Sequence, residues 1–258
     1  MTSLDILSGF RLEGKTAVVT GASSGLGARF VRVLHAAGAT VVAAARRTER
    51  LQQLATELAD RVIPVTCDVS VDDDIDKLVE LTLKRAHGRI DVLINNAGMT
   101  NVGPAETEDR DTFRRVINVN LNGVFVASQA VGRVMLAQKS GSIVNIGSMH
   151  GLVAGAPMKE ASYCASKAGV INLTRELAVQ WARKGVRVNA IAPGFFPSEM
   201  TSGLWENEKS LEFVQRNTPL GRGGRENELD GALLFLASDA SSYVTGHTLV
   251  VDGGWTAR

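Results

Sequence analysis

Short β-branched apolar runs alternate along this chain with longer stretches whose apolar residues recur at helical spacing, and glycines sit at the joints. Lys15 to Thr20 is the first such run and breaks at Gly21; the periodic stretch from Leu26 to Ala37 ends at Gly38. Ala39 to Ala45 reads as a second strand, Thr48 caps a helix to Asp60, and Val62 to Cys67 is a third strand. Ser70 with Asp72, Asp73 and Asp74 opens the next helix, because a cap and carboxylates suit the positive end of a helix dipole. That helix runs to about His87 and stops at Gly88, and Val92 to Asn95 follows as a fourth strand.

A long helical region from about Asp109 to Gln138 is interrupted by Asn118, Asn120, Asn122 and Gly123, all weak helix formers. The interruption predicts either a bend with a purpose or a plain linker between two helices. Ser142 to Ile146 is strand five, Ser162 to Lys184 a helix, Arg187 to Ala192 strand six, Glu226 to Ser238 a final helix and Leu249 to Asp252 a last strand. Strands alternating with helices imply parallel βαβ units, so the expected fold is α/β: a doubly wound parallel sheet of about seven strands with helices on both faces. No repeat or Pro/Ser-rich linker divides the chain, which predicts one domain over residues 1–258. The irregular stretch Pro193 to Pro219 carries Phe195, Phe196, Met200, Leu204, Trp205, Leu211 and Phe213, and reads as a substrate lid over about 194–219 or as a helical excursion packing those residues on the body.

Composition narrows the function classes. At 258 residues, 45% hydrophobic and 21% charged, the chain can bury a sizeable core. Lys and Arg total 28 against 27 acidic residues, interspersed, so no basic face invites nucleic acid or an acidic membrane. No leader-like or spanning apolar segment is evident, and Cys67 and Cys164 have no pairing framework, which together predict a cytoplasmic protein. His35, His87, His150 and His247 are scattered without partners at ligand spacing, so no metal is expected.

Two local patterns carry chemistry. Thr20-Gly21-Ala22-Ser23-Ser24-Gly25-Leu26-Gly27 lies between the first strand and first helix, where absent side chains let backbone amides approach a pyrophosphate at the helix N-terminus. The spacing is not GxGxxG. The second strand ends Ala45-Arg46-Arg47 with no acid for ribose hydroxyls, so Arg46 argues for the extra phosphate of NADP(H); alternatively both arginines merely solvate a loop. Tyr163 and Lys167 stand four apart at the start of a helix and so share one face, opposite Ser148 beyond strand five. An ammonium beside the phenol is expected to favour the phenolate and lower its pKa, making one acid/base device.

Taken in order, the Thr20–Gly27 turn, Asn95-Asn96-Ala97-Gly98, Asn120 ahead of Gly123-Val124-Phe125, Ser148, the Tyr163/Lys167 pair and Pro193-Gly194 closely resemble the short-chain dehydrogenase/reductase family, over nearly the whole sequence. The resemblance implies a Rossmann fold and an oxidoreductase interconverting a ketone and a secondary alcohol by hydride transfer. It implies Tyr163 as general acid or base, Ser148 on the substrate oxygen, Lys167 on the nicotinamide ribose, and Asn120 holding a water that links Lys167 to solvent. It places Gly21, Ser23, Ser24, Gly25, Leu26, Gly27, Arg46, Arg47, Asp68, Val69, Asn96, Ala97, Gly98, Pro193, Gly194, Phe196 and Ser198 along the cofactor, with Asp68 and Val69 at the adenine and Ser198 where the family often has a carboxamide-binding Thr. NADP(H) is the expected cofactor, with NAD(H) as the alternative, since Ser24 stands where many NADP-preferring members carry a basic residue. Ser148, His150, Met158, Tyr163, Phe195, Met200, Leu204 and Trp205 border the expected pocket for a small carbonyl or alcohol substrate, and their apolar members favour a hydrophobic one such as a cyclic or aryl ketone or a 3-oxoacyl thioester. A sugar or polyol dehydrogenase, an epimerase or dehydratase of the larger relatives, and a non-enzymatic nucleotide sensor are the other readings; the resemblance also implies a homotetramer.

Overall fold

The protein is described by a computed structural model over residues 5–258. Seven parallel strands form one sheet: β1 Thr16–Thr20, β2 Thr40–Ala45, β3 Val62–Thr66, β4 Val92–Asn95, β5 Gly141–Ile146, β6 Val186–Pro193 and β7 Thr248–Val251. Their spatial order is β3-β2-β1-β4-β5-β6-β7, with every pairing parallel. The order reverses direction between β1 and β4, so the loops leaving their carboxyl ends diverge and leave a crevice there.

Alternating side chains of each strand feed two cores. Ala17, Val19, Val41 and Ala43 face one side with Phe30, Val31 and Leu34 of helix α1 (Gly25–Ala36) and Leu233 and Leu236 of α9 (Asp230–Ala237). Val18, Val42 and Leu93 face the other, with Ile75 and Leu78 of α3 (Asp72–Arg85), Val131 and Met135 of α5 (Gly123–Gln138) and Leu177 and Trp181 of α6 (Ala161–Trp181). Phe30 and Leu34 are wholly excluded from solvent, each contributing about 1.5–3 kcal/mol of burial. Helix α2 (Thr48–Leu58) packs through Leu51 and Leu54.

Where sequence and structure differ, the reasons are local. The asparagine cluster is no linker: α4 (Arg110–Ile117) runs into α5 through a π-helical turn, Asn118–Asn122, which widens the helix without breaking it. The final helix begins at Asp230 rather than Glu226, because the Glu228 carboxylate turns back to accept from the Arg225 amide and the Arg222 guanidinium. The stretch after β6 is helical in pieces: a single turn at Glu199–Thr201, then α7 (Ser202–Trp205) and α8 (Glu208–Asn217). No helix of the described residues is long and apolar enough to cross a membrane.

Candidate active site

A cavity of about 430 Å³ opens at the crevice between β1 and β4, within the range of small-molecule sites. Its floor is the β1–α1 turn, with Gly21, Ser23, Ser24, Gly25, Leu26 and Gly27 in the wall. Ser24 is extended and no side chain caps α1, so the first amides of the helix keep the unpaired donors and positive end that suit an anion. Two glycines are sterically required: a Cβ at Gly21 would come 2.7 Å from Ala97 Cα, and one at Gly27 would fall on the Gly21 carbonyl oxygen.

The β4 loop braces this floor. Thr20 Oγ1 accepts from the amides of Asn96 and Ala97, each at 3.1 Å, while Asn96 Nδ2 donates to the carbonyls of Thr20 and Gly21 at 3.0 and 3.2 Å. Asn96, Ala97 and Gly98 therefore form wall, with the Asn96 amide occupied in holding the turn. At one mouth stand Arg46, Arg47, Asp68 and Val69. Arg46 is 76% exposed, 3.8 Å from Asp68, whose carboxylate also accepts from the amide and hydroxyl of Ser70.

At the other end the wall contains Ser148, Tyr163 and Lys167. Ser148 follows β5 in extended conformation and accepts from the His150 amide at 3.1 Å. Tyr163 and Lys167 occupy adjacent turns of one face of α6, with Nζ 5.6 Å from the phenol ring centre. Lys167 is buried and donates to the Ile146 carbonyl at 2.7 Å. Burial draws its amine down to about 8. The Tyr163 hydroxyl is pushed the other way, up to about 12, chiefly by loss of solvent; hydrogen bonding with Ser148 opposes this, and the nearby Glu160 charge adds to it. This differs from the expectation that Lys167 makes Tyr163 more acidic: in the protein alone loss of solvent sets the direction, and the phenol is held as a proton donor.

Asn120 lies in the π-turn with no exposed surface. Its Oδ1 accepts from the Met99 amide and its Nδ2 donates to the Met99 carbonyl, both at 2.8 Å, and to Ser166 Oγ at 3.0 Å. Ser166 in turn donates to the Tyr163 carbonyl at 2.7 Å, so Asn120 ties the β4 loop to the tyrosine's turn of helix. The side chain is fully used in this clamp.

The remaining candidates divide. Pro193, Gly194, Phe196, Ser198 and Met200 lie in the cavity wall. Phe195 does not: it packs edge-on to Trp255 at 5.2 Å, in a small cluster with Met149 and Val214 against which Met158, Leu204 and Trp205 rest. His150 is buried behind Ser148, its Nδ1 2.5 Å from Glu160. These side chains spend their surface on one another, so they give no ground for a hydrophobic substrate.

A family model described as Enoyl-(Acyl carrier protein) reductase matches residues 21–256. The chain belongs to the short-chain dehydrogenase/reductase family. As a member of that family it is 42% identical to galactitol 2-dehydrogenase (L-tagatose-forming) of Cereibacter sphaeroides, over 98% of this chain and 99% of that one. It is 43% identical to a 3-oxoacyl-(acyl-carrier-protein) reductase of Thermotoga maritima, covering 95% and 98%. A gluconate 5-dehydrogenase from Burkholderia cenocepacia, solved with NADP and tartrate, superimposes with a TM-score of 0.93 at 36% identity, covering 98% and 100%. The glycine turn and the uncapped helix of this short-chain dehydrogenase/reductase have the chemistry that suits a nicotinamide dinucleotide, and Arg46 and Arg47 bring positive charge to the mouth of the same cavity.

Several residues of the cavity wall escape sequence reasoning, among them Met99, Thr201 and Glu199. Met99 enters through its backbone, Thr201 through a hydroxyl that donates to the Phe196 carbonyl at 2.7 Å, and Glu199 through partners 149 and 152 residues away. Glu199 is one of several acids after β6, with Glu206, Glu208 and Glu212, and no spacing rule connects it to its arginines.

Proposed function

We propose that this enzyme is an NADP(H)-dependent oxidoreductase interconverting a ketone and a secondary alcohol, with Tyr163 moving the proton. The observation that carries the reading is the continuity of one cavity from the anion-receptive turn at Gly25 to the Ser148–Tyr163–Lys167 group. When bound, the nicotinamide supplies or removes the hydride. Tyr163, kept protonated by burial, donates to the carbonyl oxygen in reduction and takes the proton back in oxidation. Ser148 donates a hydrogen bond to the same oxygen as charge develops there. Lys167, fixed by the Ile146 carbonyl, holds positive charge beside the phenol and reaches the ribose side of the cavity. Asn120 positions rather than reacts: its clamp on Met99 and Ser166 sets the relation between the β4 loop and Tyr163.

The preference for NADP(H) over NAD(H) rests on Arg46 and Arg47 at the mouth and on the absence of a carboxylate at Ala45. For the substrate we favour a small polyol or hydroxy-acid ketone. Phe195, Leu204 and Trp205 after β6 are taken up in packing, and relatives at 42% and 40% identity are named for galactitol and for 2-dehydro-3-deoxy-D-gluconate. A 3-oxoacyl thioester is the second reading, supported by the relative from Thermotoga maritima. Exposed apolar side chains at Phe113, Phe125, Val179 and Tyr243 support a homotetramer, and the free thiols Cys67 and Cys164 support a reducing, cytoplasmic setting.

The test follows nicotinamide absorbance with NADPH and NADH in parallel against keto-sugars, keto-acids, aryl ketones and a 3-oxoacyl thioester, with Tyr163→Phe as control. Turnover with NADPH and a polar ketone, lost in the variant, is the expected result; a best rate on the thioester selects the second reading. Equal or better rates with NADH would refute the cofactor assignment.

A further inference from the structure

Glu199 belongs to the segment after β6, yet its carboxylate sits at the corner between β1 and β2. Its Oε2 accepts from Ser24 Oγ at 2.9 Å and lies 2.9 Å from Arg47 Nη2; its Oε1 accepts from Arg47 Nη1 at 3.2 Å and from Arg50. Arg47 also donates to Ser23 Oγ at 3.1 Å and to Ser24 Oγ at 2.6 Å. Two guanidinium groups and the Ser24 hydroxyl thus converge on one carboxylate, with Ser23 Oγ beside them on Arg47. That donor set is the one that recognises a phosphate monoester, and Ser23, Ser24 and Arg47 are themselves wall of the cofactor cavity. The approach is tight along the backbone too, since a Cβ at Gly25 would come 3.2 Å from Ser198 Cβ.

We infer that Glu199 is a specificity-determining residue: its carboxylate occupies the anion site of Ser23, Ser24, Arg47 and Arg50 and competes there with the 2′-phosphate of NADP(H), setting how far that cofactor is preferred over NAD(H). The inference rests on the reading that the Arg46–Arg47 corner receives the 2′-phosphate. A phosphate monoester carries close to two charges and three acceptor oxygens, against one charge and two oxygens for the carboxylate, so exchange favours the phosphate. The pair to be exchanged is weak enough to yield, because Arg47, Arg50 and Glu199 are each about half exposed. The competitor is nonetheless always charged, since its arginine partners hold the carboxyl down at about 2. NAD(H) lacks the 2′-phosphate and leaves the Glu199 contacts in place, so removal of the charge acts on one cofactor and not the other.

The experiment measures dissociation constants of 2′,5′-ADP and 5′-AMP by calorimetry on wild type, Glu199→Gln and Glu199→Ala, with circular dichroism to confirm folding. The expected result is a ratio of 5′-AMP to 2′,5′-ADP dissociation constants raised about threefold to tenfold in both variants, as for loss of one or two exposed ion pairs. If wild type prefers 2′,5′-ADP and the ratio is unchanged or lower in the variants, Glu199 does not compete and the inference falls while the NADP(H) reading stands. If no form prefers 2′,5′-ADP, the NADP(H) reading falls and the inference falls with it.

Discussion

Lys167 donates from its buried ammonium to the carbonyl oxygen of Ile146 at 2.7 Å, tying the N-terminal part of α6 to the last residue of β5, two residues before Ser148. The lysine thereby aligns the element that carries Tyr163 with the one that carries Ser148. It also holds a charge where solvent does not reach, and burial draws its pKa from 10.5 to about 8.

That shift gives stability a pH signature. Between about 8 and 10.5 the unfolded lysine still binds its proton while the folded one has released it, so stability rises with pH across this window. Lys167→Met is expected to flatten the rise, read as urea midpoints between pH 8 and 10, and to lower turnover at every pH. An equally steep rise in the variant would mean that the amine is not the group responsible.

Tyr163 acts in the opposite sense at higher pH. Its folded pKa of about 12 lies above the ordinary 10, so its contribution is complete below pH 10 and lost between 10 and 12. Tyr163→Phe should remove this alkaline loss while reducing turnover by about two to four orders of magnitude, the contribution of a positioned proton donor. Thermal melts and steady-state rates on one preparation check both statements.

Glu160 lies just before α6, against His150, and its charge helps keep the Tyr163 proton on. Glu160→Gln should lower the phenol pKa and move the rise of kcat/KM for alcohol oxidation to lower pH, with His150 left in place. A profile that keeps its position but loses amplitude would assign Glu160 a packing role only.

Gly27→Ala places a methyl group on the backbone carbonyl of Gly21 and against Asn96 Nδ2, the side chain that braces the turn. The turn must distort, at a cost of about 1–3 kcal/mol in stability. Dinucleotide affinity should fall with it, because the amides of the first turn of α1 move. Denaturant midpoints and calorimetric titration with NADP+ measure the two effects.

Arg46 is exposed and makes only a long contact to Asp68, so its removal should leave the fold untouched. Arg46→Ala is expected to weaken 2′,5′-ADP binding by roughly ten- to a hundredfold, the worth of a charge-assisted contact, and to leave 5′-AMP nearly unchanged.

The strands, the glycine turn and the Tyr163/Lys167 spacing were legible in the sequence because each is written in neighbouring residues: β-branched runs, missing side chains, a four-residue helical step. The parallel, doubly wound sheet followed, since short βαβ connections leave few alternatives, while the strand order came from the structure. Tertiary structure alone decided what depends on distant partners. The residues Asn118 to Asn122 could have been a linker, and became a π-turn because Asn120 finds Met99 and Ser166. Phe195, Leu204 and Trp205 read as pocket lining, and became core once Trp255 and Val214 came to meet them. The pKa of Tyr163 could not be signed from its lysine neighbour, since desolvation is set by everything packed around the hydroxyl. Glu199 met Arg47 and Arg50 only when the segment after β6 folded across to the loops leaving β1 and β2; local physics fixes elements, and long-range packing chooses which charges share a site.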